Sequence, residues 1–335
     1  MGVQATEFEV HSESSDEGVV AKEVAGRSPI QIVVDRLKSD KVAIVCIAVV
    51  GILLLLGLLA PVITRLWGVH ADQPPTKNAY DILTFDGYPK IGPPFNGFIW
   101  KHPLGLEPGT GYDNFARLLY GLRTSLGVSF FATFFSTVIG VVIGLVAGFA
   151  TGWLDRVIGF VIDLFLSFPF ILGALCLTPI ITQRFATNSG ALAKAQVIGL
   201  ISVLVILGWM GLARLIRGQV LSLREREFIQ AARVLGVPTR QILFKELLPN
   251  LVAPIVVMVS LTLPAYVAAE ASLSYLGIGL TGVPSLGQTI NNAVPYFSNY
   301  PLYLWAPVAA VAVLVLALNL LGDSVRDAFD PKTRR

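Results

Sequence analysis

The chain has 335 residues, 54% of them hydrophobic and only 14% charged, where an average soluble domain carries about 25% charged residues. Its 25 Lys+Arg against 22 Asp+Glu leave a net charge of +3, too small for a nucleic-acid footprint read from bulk charge. An ordinary soluble fold is therefore excluded, and an all-α integral membrane protein is expected.

In chain order, residues 1–27 hold an acidic, Ser-rich stretch (Glu7 to Glu17) instead of a basic region leading into an apolar core. They read as a disordered cytoplasmic tail, not a cleavable signal. Ser28 and Pro29 suit the N-cap and first position of an interfacial helix over 28–41, with Ile30, Val33, Val34 and Leu37 at helical spacing. Val42 to Ile63 is the first window of about 20 apolar residues, the length that crosses about 30 Å of hydrocarbon. Residues 65–121 are broken by Pro74-Pro75, Gly87-Tyr88-Pro89, Gly92-Pro93-Pro94 and Gly109, which favours turns and predicts a small ordered outer cap. The second window lies within Thr124 to Leu154. The third covers Val157 to Ile181 and is interrupted only by Asp163, and the fourth lies between Lys194 and Arg214. The fifth follows Pro249 to about Ala269, and the sixth is Leu302 to Leu321. Together 122–323 form the membrane core, and 324–335 a second cytoplasmic tail. Cys46 and Cys176 lie in apolar runs and read as small buried hydrophobes, with neither a disulfide nor a metal site implied.

Lys and Arg near span ends resist translocation, and so they set orientation. The segment between windows four and five holds Arg214, Arg217, Arg224, Arg226, Arg233, Arg240 and Lys245. Six crossings place it on one side with Arg36, Lys38, Lys41 and the basic C-terminus, a side read as cytoplasmic. Arg117 and Arg123, just before window two, oppose that assignment unless a helix along the outer interface snorkels both heads into water.

The segment 224–248 reads as two short helices. Phe228, Ala231, Ala232 and Leu235 recur at helical spacing, Gly236 suits a left-handed terminus, and Pro238 can open the second helix. Ala231-Ala232 leaves a flat face for close approach by another protein. A DNA-reading helix-turn-helix is disfavoured because Arg217 and Pro249 tether the segment to two spans. A plain amphipathic linker stays open on local pattern alone.

Gln230-Ala231-Ala232, Gly236 and Leu248-Pro249 resemble the Glu-Ala-Ala, Gly, Leu-Pro signature of permease subunits of binding-protein-dependent ABC importers, with Gln in place of the usual Glu. Further motifs are similar to the second permease subunit of the dipeptide/oligopeptide type. They include His102-Pro-Leu-Gly105, Gly111-Tyr-Asp113, Arg117 to Arg123, Gly152-Trp-Leu-Asp155, Ser167-Phe-Pro169, Glu270 to Gly277 and Asn319 to Asp323. The resemblance implies six membrane helices in the type I importer permease fold. It places the coupling helix for a separate ATPase subunit in 224–248, with Arg226, Glu227, Gln230, Ala231, Ala232, Gly236 and Pro249 as its coupling residues. It also implies a second permease, two ATPase subunits or domains that bind ATP and Mg, an outer peptide-binding protein and a bacterial-type cell membrane. Departures from the family's usual residues at Glu107 and Tyr112, near His102, mark these three as candidate contacts for the binding protein.

A carboxylate within a span is costly, and so Asp163 and Glu270 are candidate pathway or gate residues. Asp163 also suits pairing with a neighbouring helix, and Glu270 suits solvation near the outer face. Gly140, Gly144, Gly148, Gly199 and Gly208 favour close helix packing. No Gly-x-x-x-x-Gly-Lys motif occurs, so ATP is not expected to bind this chain. The scattered His11, His70 and His102 make no metal triad, and no catalytic constellation appears. The expected activity is uptake of short peptides driven by partner ATPases. Nickel, glycoside or antibiotic-peptide import, an ion-driven transporter using Asp163 and Glu270, and a non-transporting scaffold are the alternatives.

Overall fold

A computed structural model of the chain describes residues 29–75, 79–92, 96–183, 189–280 and 282–329. The expected tail 1–27, the N-cap Ser28 and the terminal residues from Asp330 lie outside them. Among the described residues the chain is helical, and extended pairing is limited to isolated bridges.

Helix α1 (Pro29–Ser39) is the short amphipathic helix the spacing predicts. Asp40 then ends it and starts α2 (Lys41–Leu58): its extended backbone breaks the helix, and its carboxylate accepts the Val42 amide at 2.9 Å. Helix α3 (Ala60–Trp67) continues past Leu59 and stops at Gly68. The cap follows, with a single four-residue helix α4 (Ala79–Ile82) and a small core of Ile82, Ile91 and Leu106. Its turn-rich sequence yields the compact irregular structure expected of it.

Helix α5 (Asn114–Phe149) starts earlier than the sequence suggested, because the Asp113 carboxylate accepts the Ala116 amide at 2.7 Å and caps it. Arg117 and Arg123 therefore belong to the first turns of this long helix. The expected helix lying along the interface does not form here, and Arg117 is buried, not snorkelling. At about 54 Å, α5 exceeds a hydrocarbon core of about 30 Å.

The third window is two helices, not one. Helix α6 (Trp153–Ser167) and α7 (Phe170–Gln183) meet at an 89° bend. Pro169 is the physical reason: it forces Phe168 into an extended conformation (φ −83, ψ 128) that no helix can pass through. Cys176 on α7 is exposed, against expectation, whereas Cys46 is buried.

Helix α8 (Ser189–Ile206) and α9 (Met210–Leu223) form one long apolar stretch with a turn between them. It runs well past Arg214, so Arg214 and Arg217 are helical residues of the bundle and not part of a loop. Then come α10 (Glu227–Val234), a single helical turn α11 (Thr239–Gln241), a wide π turn at Ile242–Leu247 and α12 (Leu248–Tyr275). The chain closes with α13 (Leu286–Ala293) and α14 (Pro301–Phe329). Among the described residues five stretches are long and apolar enough to cross a membrane, and the count is six if the bent α6–α7 pair is taken as one span.

Helix α5 sits at the centre, packed on α2, α8, α9 and α12. Its contact with α9 is close enough to exclude side chains. A Cβ on Gly144 would lie 2.7 Å from the Cβ of Ile216, and one on Gly148 would lie 2.6 Å from that of Val220. The α5 and α9 partners advance in step, so the two helices run parallel. Helix α14 is antiparallel to α12, with Leu314 beside Val267 and Gly322 against Ser260. Its C-terminal end meets α1, where Arg36 donates to the Ala328 carbonyl at 2.9 Å and Ser324 donates to Asp40 at 2.7 Å. Both ends of the described chain thus share the end of the bundle that carries α10, opposite the cap.

Candidate functional site

The segment between α9 and α12 anchors by one face and exposes the other. Ile229 is fully buried among Val220, Ile242, Leu247 and Leu251, and Ala232 packs on the same cluster. On the other side Phe228, Ala231, Val234, Leu235 and Phe244 are exposed, Val234 and Leu235 at 88% and 81%. Apolar groups this exposed mark an interaction surface. Arg226 occupies the N-cap of α10, and Glu227 opens its first turn, where a carboxylate suits the positive end of the helix. Both side chains, like that of Gln230, are exposed.

Gly236 ends α10 in the left-handed conformation (φ 74), with the Gly236 amide donating to Arg233 and the Val237 amide to Ala232. This turn is the reason for glycine here, since other residues resist positive φ. Pro249 lies exposed in the first turn of α12, where its missing N–H costs nothing. Six of the seven expected coupling residues lie between α9 and α12, and Pro249 lies in the first turn of α12. The structure adds Val234 and Phe244, which chain spacing alone did not single out.

Three arginines lie where this segment meets the bundle, Arg217 and Arg224 at the end of α9 and Arg233 on α10. Arg217 makes two bonds to Asp155 Oδ1, at 2.9 Å from Nε and 2.8 Å from Nη2. Arg224 Nη1 donates to the Gly148 and Ala150 carbonyls at 3.2 and 3.3 Å, satisfying the open end of α5. Arg233 stacks over the Phe149 ring at 4.5 Å. Of the three, Arg233 lies on α10 itself and reaches the end of α5.

The two carboxylates singled out in spans take different places. Asp163 on α6 lies 3.7 Å from Arg214 on α9, and both side chains are exposed. Glu270 is wholly buried, so its expected solvation near the outer face does not occur. Ser274 donates to its Oε1 at 2.8 Å, and the hydroxyls of Ser125 and Ser285 lie beside it. This hub joins α5, α12 and α13, and Gly287 keeps α13 tight by avoiding overlap with the Ala271 carbonyl.

In the cap, His102 and Glu107 turn inward, which corrects their reading as contacts for an outer protein. His102 Nδ1 is 2.6 Å from Asp113 Oδ2, with both residues buried, so the imidazole braces the residue that caps α5. Glu107 is 3% exposed. It accepts from Tyr303 at 2.5 Å and from Asn292 at 3.2 Å, and it pairs with Arg117 at 2.9 Å. Tyr112 is half-buried and lies against the Arg117 guanidinium. Nearby, Tyr300 donates to the Pro89 carbonyl at 3.1 Å, and burial, with Tyr88 adding to it, raises its phenol above the usual range. Nothing in the local sequence signals these ties, because their partners are up to 211 residues apart.

Residues 140–335 match the family model described as "Binding-protein-dependent transport system inner membrane component", and residues 28–81 match that of the N-terminal TM domain of oligopeptide transport permease C. The chain is 31% identical over 308 residues to the dipeptide transport system permease protein DppC of Alkalihalophilus pseudofirmus, covering 92% of this chain and 91% of that one. It is 29% identical over 306 residues to the oligopeptide transport system permease protein OppC of Bacillus subtilis, covering 90% and 88%. Among solved structures, an inward-facing form of the MetNI methionine ABC transporter aligns with a TM-score of 0.50 at 24% identity, over 64% of this chain and 96% of that one. That likeness establishes a shared fold, the type I ABC importer permease fold. Motifs, fold and family match agree, and the chain belongs to the family of inner membrane components of binding-protein-dependent transport systems.

Proposed function

We propose that this chain is one of two permease subunits of an ABC importer that takes up dipeptides or oligopeptides delivered by an extracytoplasmic binding protein. The observation that carries the reading is the anchored, outward-facing apolar patch of α10, built around Ala231 and closed by Gly236. It suits docking on a separate ATPase, and relatives named as dipeptide and oligopeptide permeases supply the substrate class. On this reading the α10 end and both termini face the cytoplasm, with the cap outside. ATP and Mg bind in the partner ATPases. Closure of those subunits draws the α10 segments together, and rigid-body motion passes through Arg217, Arg224 and Arg233 to open the path to the outside. Hydrolysis then resets it.

Tagged purification in mild detergent, with every co-purifying chain identified and ATPase activity assayed with and without short peptides, tests this. Recovery of a second permease and P-loop subunits with peptide-responsive hydrolysis is the expected result. A complex whose hydrolysis responds to another solute and not to peptides would overturn the substrate class. Uptake that persists without any ATPase partner would overturn the importer reading as a whole.

A further inference from the structure

We infer that Asp163 and Arg214 line a water-filled part of the translocation path and engage the charged ends of a passing peptide, an inference that rests on the importer reading. Helix α6 runs antiparallel to α9. Asp155 meets Arg217 at one end, Asp163 faces Arg214 further along, and Phe165 packs on Trp209 beyond it. From Asp155 to Asp163 is just over two helical turns, about 12 Å. A Cβ on Gly144 would lie 2.8 Å from the carbonyl of Ala213, which levels Arg214 with a point on α5 about 9 Å short of its end at Ala150. The pair thus sits about 9 Å in from the end of the bundle that carries α10.

At that depth the two side chains are nonetheless 66% and 60% exposed in the isolated chain. Lipid is a poor cover, because an ionised carboxylate facing hydrocarbon is costly and aspartate is too short to snorkel out. A dry protein interface is a poor cover as well. Buried ion pairs need tight, fully bonded geometry to offset desolvation, and 3.7 Å lies beyond hydrogen-bond reach. The neighbouring Arg217–Asp155 pair shows the contrast, with two bonds below 3 Å and both side chains largely covered. Water is the remaining cover, and a loose pair is what solvated ions form.

A short peptide carries an ammonium at one end and a carboxylate at the other. Asp163 matches the first, and the planar guanidinium of Arg214 matches the second in bidentate fashion. Exchanging their weak mutual attraction for two contacts with substrate costs little, which suits a site that must also let go.

The test uses the whole complex in lipid nanodiscs, with Cys46→Ala and Cys176→Ala removing the native thiols. Asp163→Cys and, one turn along the same face, Ser167→Cys are treated with a charged, membrane-impermeant methanethiosulfonate. Ile162→Cys is the buried comparison, at 2% exposure. Both test positions are expected to react at least about tenfold faster than position 162. Dialanine with binding protein and ATP should slow the reaction of Ser167→Cys, where both charged side chains are intact, severalfold, and acetylated, amidated dialanine should not. Failure of both test positions to react in a complex that still hydrolyses ATP would show a sealed face and overturn the inference. Reaction of Ser167→Cys, in which Asp163 and Arg214 are intact, without protection by dialanine would overturn the peptide contact. Failure of the importer reading shows separately, as absence of ATP-driven dialanine uptake by the unsubstituted complex.

Discussion

Tyr303, at the start of the last helix, donates its hydroxyl to Glu107 of the cap at 2.5 Å, across 196 residues of chain. Arg117 holds the other oxygen of the same carboxylate at 2.9 Å. One acidic side chain therefore fixes the cap to both α5 and α14, and it does so away from water.

Glu107→Ala leaves the Arg117 charge buried without its partner, which typically costs about 3–5 kcal/mol. We expect a large drop in thermal stability in detergent, with the cap released first, as followed by limited proteolysis between residues 68 and 113. Replacing both residues with leucine should recover most of that loss, because it removes the charge along with its partner. Equal loss in the single and double variants would show that the ion pair does not hold the cap.

Gly144→Val should disrupt the α5–α9 contact. A Cβ there meets Ile216 and the Ala213 carbonyl below 3 Å, and both belong to packed helices that cannot retreat cheaply. Overpacking of this kind costs about 1–3 kcal/mol. Gly127→Val on the same helix, where nothing lies within 4 Å, serves as the comparison. Yield of folded chain by size-exclusion chromatography should fall for the first and hold for the second.

Gly236→Val places a branched residue at φ 74, a strain of about 1–2 kcal/mol that falls on the end of α10. Ala231→Trp keeps the helix but fills the flat face. In reconstituted complexes both should leave ATP hydrolysis measurable and reduce peptide uptake at least about tenfold. Normal uptake by both variants would remove α10 from the coupling role.

Asp40 supplies a pH-dependent tie between α1, α2 and α14. The Ser324 hydroxyl, then the Val42 amide, hold its carboxyl below the ordinary value of 3.8. Because the folded value lies below the unfolded one, the tie is complete above about pH 4 and is lost as pH falls through the lowered value. Protection from hydrogen exchange at the start of α2, taken relative to the intrinsic rate at each pH, should fall below about pH 4 in the natural chain. In Asp40→Asn, which keeps an N-cap oxygen but cannot titrate, exchange there should show no such acid limb.

The helices were largely readable because lipid-compatible sequence is nearly binary. A run of about 20 uncharged residues has few alternatives to a helix, and α2, α12 and α14 lie where their apolar windows predict. The short helix α10 and its glycine stop were readable for a different reason: the residues that set them are neighbours in sequence. The third window misled because a count of apolar residues ignores the backbone. The Phe168-Pro169 step bends the chain by 89° without changing its hydropathy.

By itself, then, the sequence determined the membrane class, the approximate spans and the short helix between the fourth and fifth spans, since each depends on composition or on contacts within a few residues. The tertiary structure alone decided which polar groups are spent inside the fold. His102 and Glu107 became buried braces, Glu270 a serine-ringed hub, and Arg214 a span residue paired with Asp163. Whether such a group faces water or a partner depends on which distant helix packs beside it, and that choice is made by the whole bundle together.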